Sequence, residues 1–410
     1  MIEKPAILGG EPTTKRKIPL YCICTGEEEK EAIIDAFNKK AFASGEFIKK
    51  LEDEFARFIG TKHALAVSNG TDGLFLAYLA YGLTFGKKII TTPLTFVATA
   101  STIVHTGAIP VFCDVELDGN ISPMKIQELV KSENIDGISI VHLYGKPVEM
   151  KPIMELAKEN NIVVIEDASH AHGAEYNGKK VGSIGDIGVF SLYPSKVIAA
   201  GGWGGLITTN DDEIAEKIIL LRGHGELKNI IGKKGAYKFR ILGYNFRMNN
   251  MEAAVAYYQL KKIDSFIEKR RKNAKLLSEL LRDVPGITIP EEKPHIKHIF
   301  YLYAIVLDDK ITGWSRDEFV EALNAEGIEA QPGYVVPLHK QEVFLKLNDP
   351  NVNHFAKINK YPDYSKMRFP NAEYLSNHTI WLPTHPCLKE EDVENIAKAI
   401  KKLISWKKNR

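Results

Sequence analysis

Hydrophobic residues follow two alternating patterns over the first half of the chain. Short apolar runs, many of them rich in β-branched residues, predict buried strands, and they cover residues 63–67, 88–92, 108–115, 137–143, 162–166, 185–191 and 205–209. Apolar residues at helical spacing predict helices before, between and after these runs, at residues 27–38, 47–58, 72–83, 123–131, 148–160 and 211–222. Strands that alternate with helices predict a mainly parallel sheet covered by helices, which is an α/β fold.

The pattern changes after residue 250. Residues 251–281 predict one or two long helices, and the basic patch at 269–272 within them predicts a solvated face. A segment rich in proline and charge, 285–298, precedes a predicted strand at 299–307, and an apolar stripe at 393–404 predicts a closing helix. We therefore expect a large domain at residues 1–275 and a smaller α/β domain at residues 276–410.

Polar groups stand where two of the predicted strands end. Asp167 follows one apolar run, Ser191 ends the next, and Lys196 comes five residues later, just ahead of a glycine-rich segment. Because open α/β sheets bind ligands at the carboxyl ends of their strands, these side chains can converge on one cavity. Taken alone, a lysine is more often a solvated surface residue. An acid at a strand end is often only a helix cap. Together they offer an amine, a carboxylate and a hydroxyl.

Pyridoxal phosphate has a use for all three groups. It needs an amine for a Schiff base, a carboxylate to keep its ring nitrogen protonated, and donors for its phosphate. The segment Ser68-Asn69-Gly70-Thr71 turns a predicted strand into a helix, and backbone N–H groups at such a helix start suit a phosphate. Phe96, at the start of another helix, is a candidate for stacking on a flat ring. The sequence therefore indicates a pyridoxal phosphate site.

Charge and targeting signals exclude other classes of function. The 54 basic and 52 acidic side chains leave a net charge of +2, so we expect neither nucleic acid nor a membrane surface as a partner. The start of the chain lacks the apolar core of a signal peptide, and no apolar run reaches the ~18 residues of a membrane span. The four cysteines lack paired metal-ligand spacing, so we expect no metal and reduced thiols in a cytoplasmic protein.

Seven short motifs in order carry a resemblance to a known family. They are Ser68-Asn69-Gly70-Thr71, Thr95-Phe96-Val97-Ala98-Thr99-Ala100, Val141-His142-Leu143-Tyr144-Gly145, Glu166-Asp167-Ala168-Ser169-His170-Ala171-His172-Gly173, the segment from Ser191 to Lys196, Arg222-Gly223-His224-Gly225, and Gly243-Tyr244-Asn245-Phe246-Arg247. Together they resemble the sugar aminotransferases of the DegT/DnrJ/EryC1/StrS family, which are fold type I enzymes that use pyridoxal phosphate. The opening residues 4–10 resemble the subgroup that aminates ketocyclitols.

The resemblance implies a role for each matching residue. The residues that it assigns to the cofactor are Lys196 for the Schiff base, Asp167 for the pyridine nitrogen, Ser191 with Gly70, Thr71 and Asp72 for the phosphate, Phe96 for stacking, His170 for the ring hydroxyl, and Asn245 for the phosphate of the neighbouring subunit. It therefore implies a homodimer with shared active sites. The family often has Tyr-x-Pro-x-His near the sugar. Here the segment from Tyr334 to His339 has one residue more between Tyr and Pro.

The implied activity is transfer of an amino group from L-glutamate or L-glutamine to a keto-sugar, often nucleotide-linked, or to a ketocyclitol. An acceptor with two carboxylates would call for paired arginines, and residues 299–371 offer only Arg316 and Arg368. Two alternatives stay open. One is a sugar dehydratase on the same fold. In such enzymes a histidine replaces the Schiff-base lysine, whereas this chain has Lys196 at that position. The other is a non-catalytic regulator.

Overall fold

The central sheet carries the polar strand ends that the sequence singled out. The structure, a computed structural model, describes residues 3–227 and 238–408. The strands of its first half are β1 (His63–Val67), β2 (Lys88–Thr91), β3 (Ile109–Phe112), β4 (Gly137–Val141), β5 (Val163–Asp167), β6 (Glu175–Tyr176), β7 (Lys179–Lys180), β8 (Ile187–Ser191) and β9 (Gly205–Thr209). Seven of these form one sheet in the order β1-β9-β8-β5-β4-β2-β3.

Strand direction in this sheet follows the prediction. β9 runs antiparallel to its neighbours β1 and β8, and the other adjacent pairs are parallel. The strands are buried on both faces, which is why their sequences are nearly continuous apolar runs. The predicted α/β fold with a mainly parallel sheet is confirmed.

Helices surround the sheet and agree with the predicted segments to within a few residues. They are α1 (Glu27–Asn38), α2 (Glu46–Ile59), α3 (Gly70–Ala80), α4 (Ala98–His105), α5 (Pro123–Ser132), α6 (Met150–Asn160), α7 (Asp212–Arg222), α8 (Asn250–Lys261) and α9 (Ile263–Leu281). Local capping fixes their ends. The Asn69 side chain, for example, accepts a hydrogen bond from the Asp72 N–H at 2.8 Å and so starts α3 at the end of the turn that follows β1.

The C-terminal part has its own antiparallel sheet. Its elements are β10 (Ile287–Thr288), β11 (Ile296–Lys297), β12 (Tyr303–Leu307), α10 (Asp309–Thr312), α11 (Arg316–Ala325), β13 (Gln331–Pro332), α12 (Glu342–Leu345), α13 (Pro370–His378), β14 (Thr379–Leu382) and α14 (Glu390–Lys408). Four strands pair in the order β10-β12-β14-β13. Residues near the chain start also pack here, since the buried Glu326 carboxylate accepts the N–H groups of Ala6 and Thr13, each at 2.8 Å.

Two predictions in this region are wrong. The strand predicted from residue 299 begins only at Tyr303, because Phe300 has a φ of 49° and its N–H donates to His298 Nδ1 at 3.0 Å. The predicted solvated basic face is interrupted by Arg270, which is 3% exposed and donates to the Tyr301 carbonyl at 3.1 Å. Both departures bring side chains toward one place, described below.

The cysteines also differ from the expectation of reduced thiols. Cys24 and Cys387 form a disulfide across 363 residues of sequence, while Cys22 and Cys113 keep free thiols. None of the described helices combines the length and the hydrophobicity that a membrane span requires.

Candidate active site

Asp167 is the acidic group of the site. It is the last residue of β5, is 5% exposed, and accepts a hydrogen bond from the Thr99 hydroxyl at 2.8 Å. Its other oxygen accepts the Ser169 N–H at 3.2 Å. Two hydrogen bonds from different elements therefore fix the direction of a buried carboxylate.

The residue before Asp167 stabilises the strand end. The Glu166 side chain is fully buried and accepts the N–H groups of Gly182, Ile184 and Gly185 at 2.6–2.8 Å. His142 Nε2 lies 2.9 Å from Glu166, and His142 Nδ1 accepts the Val148 N–H at 3.0 Å. Because Nδ1 accepts, the histidine proton lies on Nε2 and points at the carboxylate. This network holds the ends of β4 and β5 beside the loop that leads to β8.

A cup of backbone and hydroxyl groups forms where β1, β9 and β8 meet. Gly205 pairs with Val67 on one side and with Ser191 on the other. A Cβ atom added to Gly70 would lie 3.0 Å from the Ser191 Cβ, and one added to Gly205 would lie 2.6 Å from the Asn69 carbonyl carbon. The start of α3 and Ser191 therefore approach as closely as glycine allows, which gives a helix N-terminus and a hydroxyl side by side.

Lys196 lies in the turn after β8. Its N–H donates to the Tyr193 carbonyl at 2.8 Å, and its Nζ lies 5.1 Å from the centroid of the Tyr301 ring, close enough for a cation–π interaction. The Tyr301 side chain is buried, and its hydroxyl lies 3.2 Å from Ser195 Oγ. Tyr301 therefore contacts both the amine and the residue that precedes it.

His170 also packs against Tyr301. The two ring centroids are 4.6 Å apart, and His170 Nδ1 is buried without a hydrogen-bond partner among the described residues. Burial, and then the charges of Lys196 and His172, lower the pKa of His170 well below its ordinary value. Burial likewise lowers the pKa of His172 to about 3. Both imidazoles are therefore neutral at neutral pH, and His170 offers an unpaired nitrogen beside the amine.

The other predicted cofactor residues have different environments. Phe96 is 61% exposed, so a face of its ring is accessible. The Asp72 carboxylate accepts the Ser68 hydroxyl and the Asn69 amide, which ties it to the turn itself. Asn245 is exposed and accepts a hydrogen bond from Arg247 Nε at 2.9 Å, while its backbone pairs with Gly223. The cofactor contacts expected of these residues stay predictions.

The two predicted substrate residues, Tyr334 and His339, have different surroundings. Tyr334 packs edge-on against Trp381 with ring centroids 5.2 Å apart, and burial, followed by interactions with Tyr144, Tyr301 and Asp167, raises its pKa. Tyr334 is thus brought to the site. The His339 side chain is 1% exposed, and its Nε2 lies 3.2 Å from the Glu373 carboxylate. This contact holds the imidazole in the core. Its predicted contact with substrate stays a prediction.

Sequence reasoning missed three side chains of the site. Thr99 belongs to the second of the seven motifs. Its position one helical turn after Thr95 could have indicated a polar group that faces Asp167. Tyr301 was hidden in the predicted strand. Tyr21, whose ring stacks on that of Tyr301 at 6.3 Å, precedes the first helix and carries no pattern of its own.

Comparison with known proteins identifies the family. Residues 23–401 match the sequence profile of the DegT/DnrJ/EryC1/StrS aminotransferase family. The chain belongs to this family. Its members are pyridoxal-phosphate-dependent aminotransferases of fold type I, so the predicted family and the predicted class of enzyme are confirmed.

Individual relatives of this aminotransferase cover nearly its whole length. The GDP-perosamine synthase of Caulobacter vibrioides is 34% identical over 92% of this chain and 95% of its own. A protein of Geobacillus stearothermophilus named "Pleiotropic regulatory protein" is 36% identical over 89% of this chain and 91% of its own. The structure is similar to that of Helicobacter pylori PseC, an aminotransferase of pseudoaminic acid biosynthesis, with a TM-score of 0.86 and 30% identity over 95% of this chain and 100% of that one.

Proposed function

We propose that this aminotransferase transfers an amino group from L-glutamate or L-glutamine to a ketone on a sugar or cyclitol ring, in the cytoplasm. The observation that carries the proposal is that Asp167 and Ser191 end the adjacent parallel strands β5 and β8, with Gly70 packed against Ser191 and Lys196 in the turn that follows β8. An amine, a fixed carboxylate and an anion cradle at this edge are the groups that pyridoxal phosphate requires.

Two features support the fit of pyridoxal phosphate to these residues. Gly70 lets Ser191 approach the first turn of α3 closely, so the serine hydroxyl and the N-terminus of α3 can bind the same phosphate. His170 Nδ1 is a buried polar atom without a partner among the described residues, and such atoms are usually satisfied by a bound group. Gly70, Thr71 and Ser191 would hold the phosphate, Asp167 the ring nitrogen, and Lys196 the aldehyde carbon.

The chain's residues then have separate tasks. When bound, pyridoxal phosphate supplies the electron sink. Asp167, oriented by Thr99 and Ser169, keeps a positive charge on the ring nitrogen. The Lys196 amine takes the proton from the donor's α-carbon and later delivers one to the acceptor's former carbonyl carbon. Because burial lowers its pKa, the neutral His170 is a poor acceptor for that proton.

The surroundings of Tyr334 support a ring with many hydroxyl groups as acceptor. The Tyr144 hydroxyl interacts with the Trp381 side chain, and Trp381 contacts Tyr334, so hydroxyl and indole N–H groups cluster beside Tyr334. By contrast, Arg316 donates to the Ser376 carbonyl, and Arg368 to the carbonyls of Ser365 and Met367. The two arginines are thus occupied, which disfavours an acceptor with a second carboxylate.

A panel of ring ketones tests the proposal. The purified enzyme is assayed with glutamate and glutamine against scyllo-inosose, 2-deoxy-scyllo-inosose and nucleotide-linked 3-keto and 4-keto sugars. We expect turnover of at least one ring ketone, and the named relatives favour a nucleotide-linked sugar. Activity on simple 2-oxo acids alone would refute a sugar or cyclitol acceptor.

A regulatory role is a second candidate, because one relative carries a regulatory name. A regulator would have no need of Lys196, Asp167 and Ser191 together, and Lys196 likewise disfavours the dehydratase. A simple observation distinguishes the enzyme from the regulator. An enzyme purified with pyridoxal phosphate is yellow and releases 2-oxoglutarate from glutamate when an acceptor is supplied.

The predicted homodimer with shared sites belongs to the same proposal. The segment that carries Asn245 lies beside the turn at Ser68, whose N–H donates to the Phe246 carbonyl at 2.9 Å, yet the Asn245 side chain is exposed. An exposed side chain at the rim of the cup can serve a neighbouring subunit. Mixing Lys196→Ala with Asn245→Ala subunits should restore activity in part, and no recovery after verified exchange would contradict sharing.

Replacing Tyr301 tests its support of Lys196. Tyr301→Leu removes the ring face against Nζ, whereas Tyr301→Phe keeps the ring and loses only the hydroxyl near Ser195. A partly buried cation–π contact is worth about 1–2 kcal/mol, so kcat/KM should fall about 5- to 30-fold in the leucine variant. The phenylalanine variant should stay close to wild type. Equal losses in both would show that the ring is not the supporting group.

A further inference from the structure

Three sulfur atoms meet beside the active site. The Sγ atoms of Cys22, Cys24 and Cys387 all lie within 4.8 Å of one another. The Cys24–Cys387 disulfide joins the segment ahead of α1 to the loop between β14 and α14, and Cys22 keeps its thiol. Because Cys22 and Cys24 both place their sulfur within 4.8 Å of the Cys387 sulfur, either can bond to it. A free thiol therefore lies next to a disulfide.

A buried guanidinium stands next to that thiol. Arg270 is 3% exposed, and its Nε has no hydrogen-bond partner among the described residues. Burial lowers the pKa of Arg270 to about 10, and the groups that act against burial are Tyr301 and Cys22. Arg270 in turn acts to lower the pKa of the Cys22 thiol, which burial raises more strongly. A thiolate on Cys22 would provide the anion that this buried cation lacks.

We infer that these cysteines form a thiol–disulfide exchange site in which Cys387 is bonded to either Cys24 or Cys22. The Cys22 thiolate attacks Cys387 Sγ, the Cys22–Cys387 bond forms, and the Cys24–Cys387 bond breaks. Cys24 leaves as the thiolate and takes up the proton that Cys22 released. The step needs no oxidant or reductant, because one disulfide replaces another. In a reducing compartment, disulfides are usually transient or redox-sensing, which fits an exchanging bridge.

The exchange is connected to Lys196 through aromatic rings. Cys22 directly follows Tyr21, whose ring stacks on Tyr301, and the Tyr301 ring lies against the Lys196 amine. Moving the bridge from Cys24 to Cys22 shifts the point of attachment by two residues along this segment. The bond that Cys387 makes therefore determines how Tyr21 packs on Tyr301.

Serine variants separate the two bridges. Cys22→Ser should retain the Cys24–Cys387 bridge, and Cys24→Ser should form a Cys22–Cys387 bridge, each leaving Cys113 as the free thiol. Cys387→Ser should have no bridge, and Cys113→Ser is the matched control, since Cys113 is buried elsewhere. Thiols are counted in denaturant without reductant. Free thiols at Cys22 and Cys387 in Cys24→Ser, with the bridge intact in Cys22→Ser, would overturn the exchange.

The wild-type protein provides a test that does not depend on a variant folding. Free thiols are alkylated with one reagent after incubation in mildly alkaline buffer, and the bridge is then reduced and alkylated with an isotopically heavier one. Fragmentation spectra locate each label, because Cys22 and Cys24 share a peptide. We expect the first label on both Cys22 and Cys24. Its restriction to Cys22 at every incubation time would refute exchange.

Cofactor binding tests the connection to the site and is read without turnover. The dissociation constant of pyridoxal phosphate should differ severalfold between Cys22→Ser and Cys24→Ser, whose bridges are fixed. Adding Tyr21→Leu to both should remove the difference. Equal constants in the two serine variants would refute the connection, although the labelling result would still establish or exclude exchange. Failure to bind pyridoxal phosphate at all would instead refute the proposed function.

Discussion

The Lys196→Ala variant is expected to lose amino transfer at least about a thousandfold, because the amine both holds the cofactor covalently and moves the proton in each half of the reaction. Pyridoxal phosphate should still bind, since the cup at Gly70 and Ser191 and the carboxylate of Asp167 are unchanged. The assignment is measured directly. Borohydride reduction of the loaded wild-type enzyme, followed by peptide mapping, should place the label on Lys196.

The control for this variant is a lysine that the structure places away from the site. Lys158 is exposed on α6, so Lys158→Ala should keep wild-type activity and labelling. Small amines added to Lys196→Ala should restore part of the rate if proton transfer is the missing function. A borohydride label on any other lysine would contradict the assignment.

Asp167→Asn is expected to reduce kcat/KM about 10- to 1000-fold with little change in the fold. A nearby carboxylate moves the pKa of a cationic partner by about 1–3 units, so without it the cofactor's ring nitrogen would be largely neutral and a poor electron sink. Asparagine keeps an oxygen that can accept the Ser169 N–H, which is why the strand end should survive. Kinetics, cofactor affinity and the melting temperature are measured together.

Thr99→Val is the matched comparison. It removes the hydroxyl that orients Asp167 but leaves the charge in place, so its loss of activity should be smaller than that of Asp167→Asn. If Asp167→Asn has near wild-type activity and affinity, the carboxylate only caps the loop after β5. If Thr99→Val is as inactive as Asp167→Asn, orientation rather than charge is the decisive property.

The sequence alone was sufficient to predict which polar groups lie at the ends of strands. Asp167, Ser191 and the turn at Gly70 were predictable because apolar runs of parallel strands mark where each strand stops, and strand ends meet at one edge of the sheet. These are local signals, read within a few residues. The fold class followed from the same alternation.

The missed residues depend on contacts that no local pattern reports. Tyr301 reaches Lys196 because Phe300 adopts a left-handed conformation, which an apolar run such as 299–307 conceals. Arg270 lies in a basic patch, and the side chains of such patches are usually exposed to solvent. Its position on helix α9 nevertheless directs the side chain inward, where it donates to the Tyr301 carbonyl. The approach of Cys24 to Cys387 joins distant parts of the chain. Tertiary packing decides each case.

The order of strands in the central sheet also bears on how the protein is made. β1 pairs with β9 rather than with a strand near it in sequence, and Gly205 completes the cup by pairing with both Val67 and Ser191. Pairing between strands so far apart in sequence carries a loop-closure cost, so we expect the cup to form late in folding. Pyridoxal phosphate would then stabilise only chains that have completed this step.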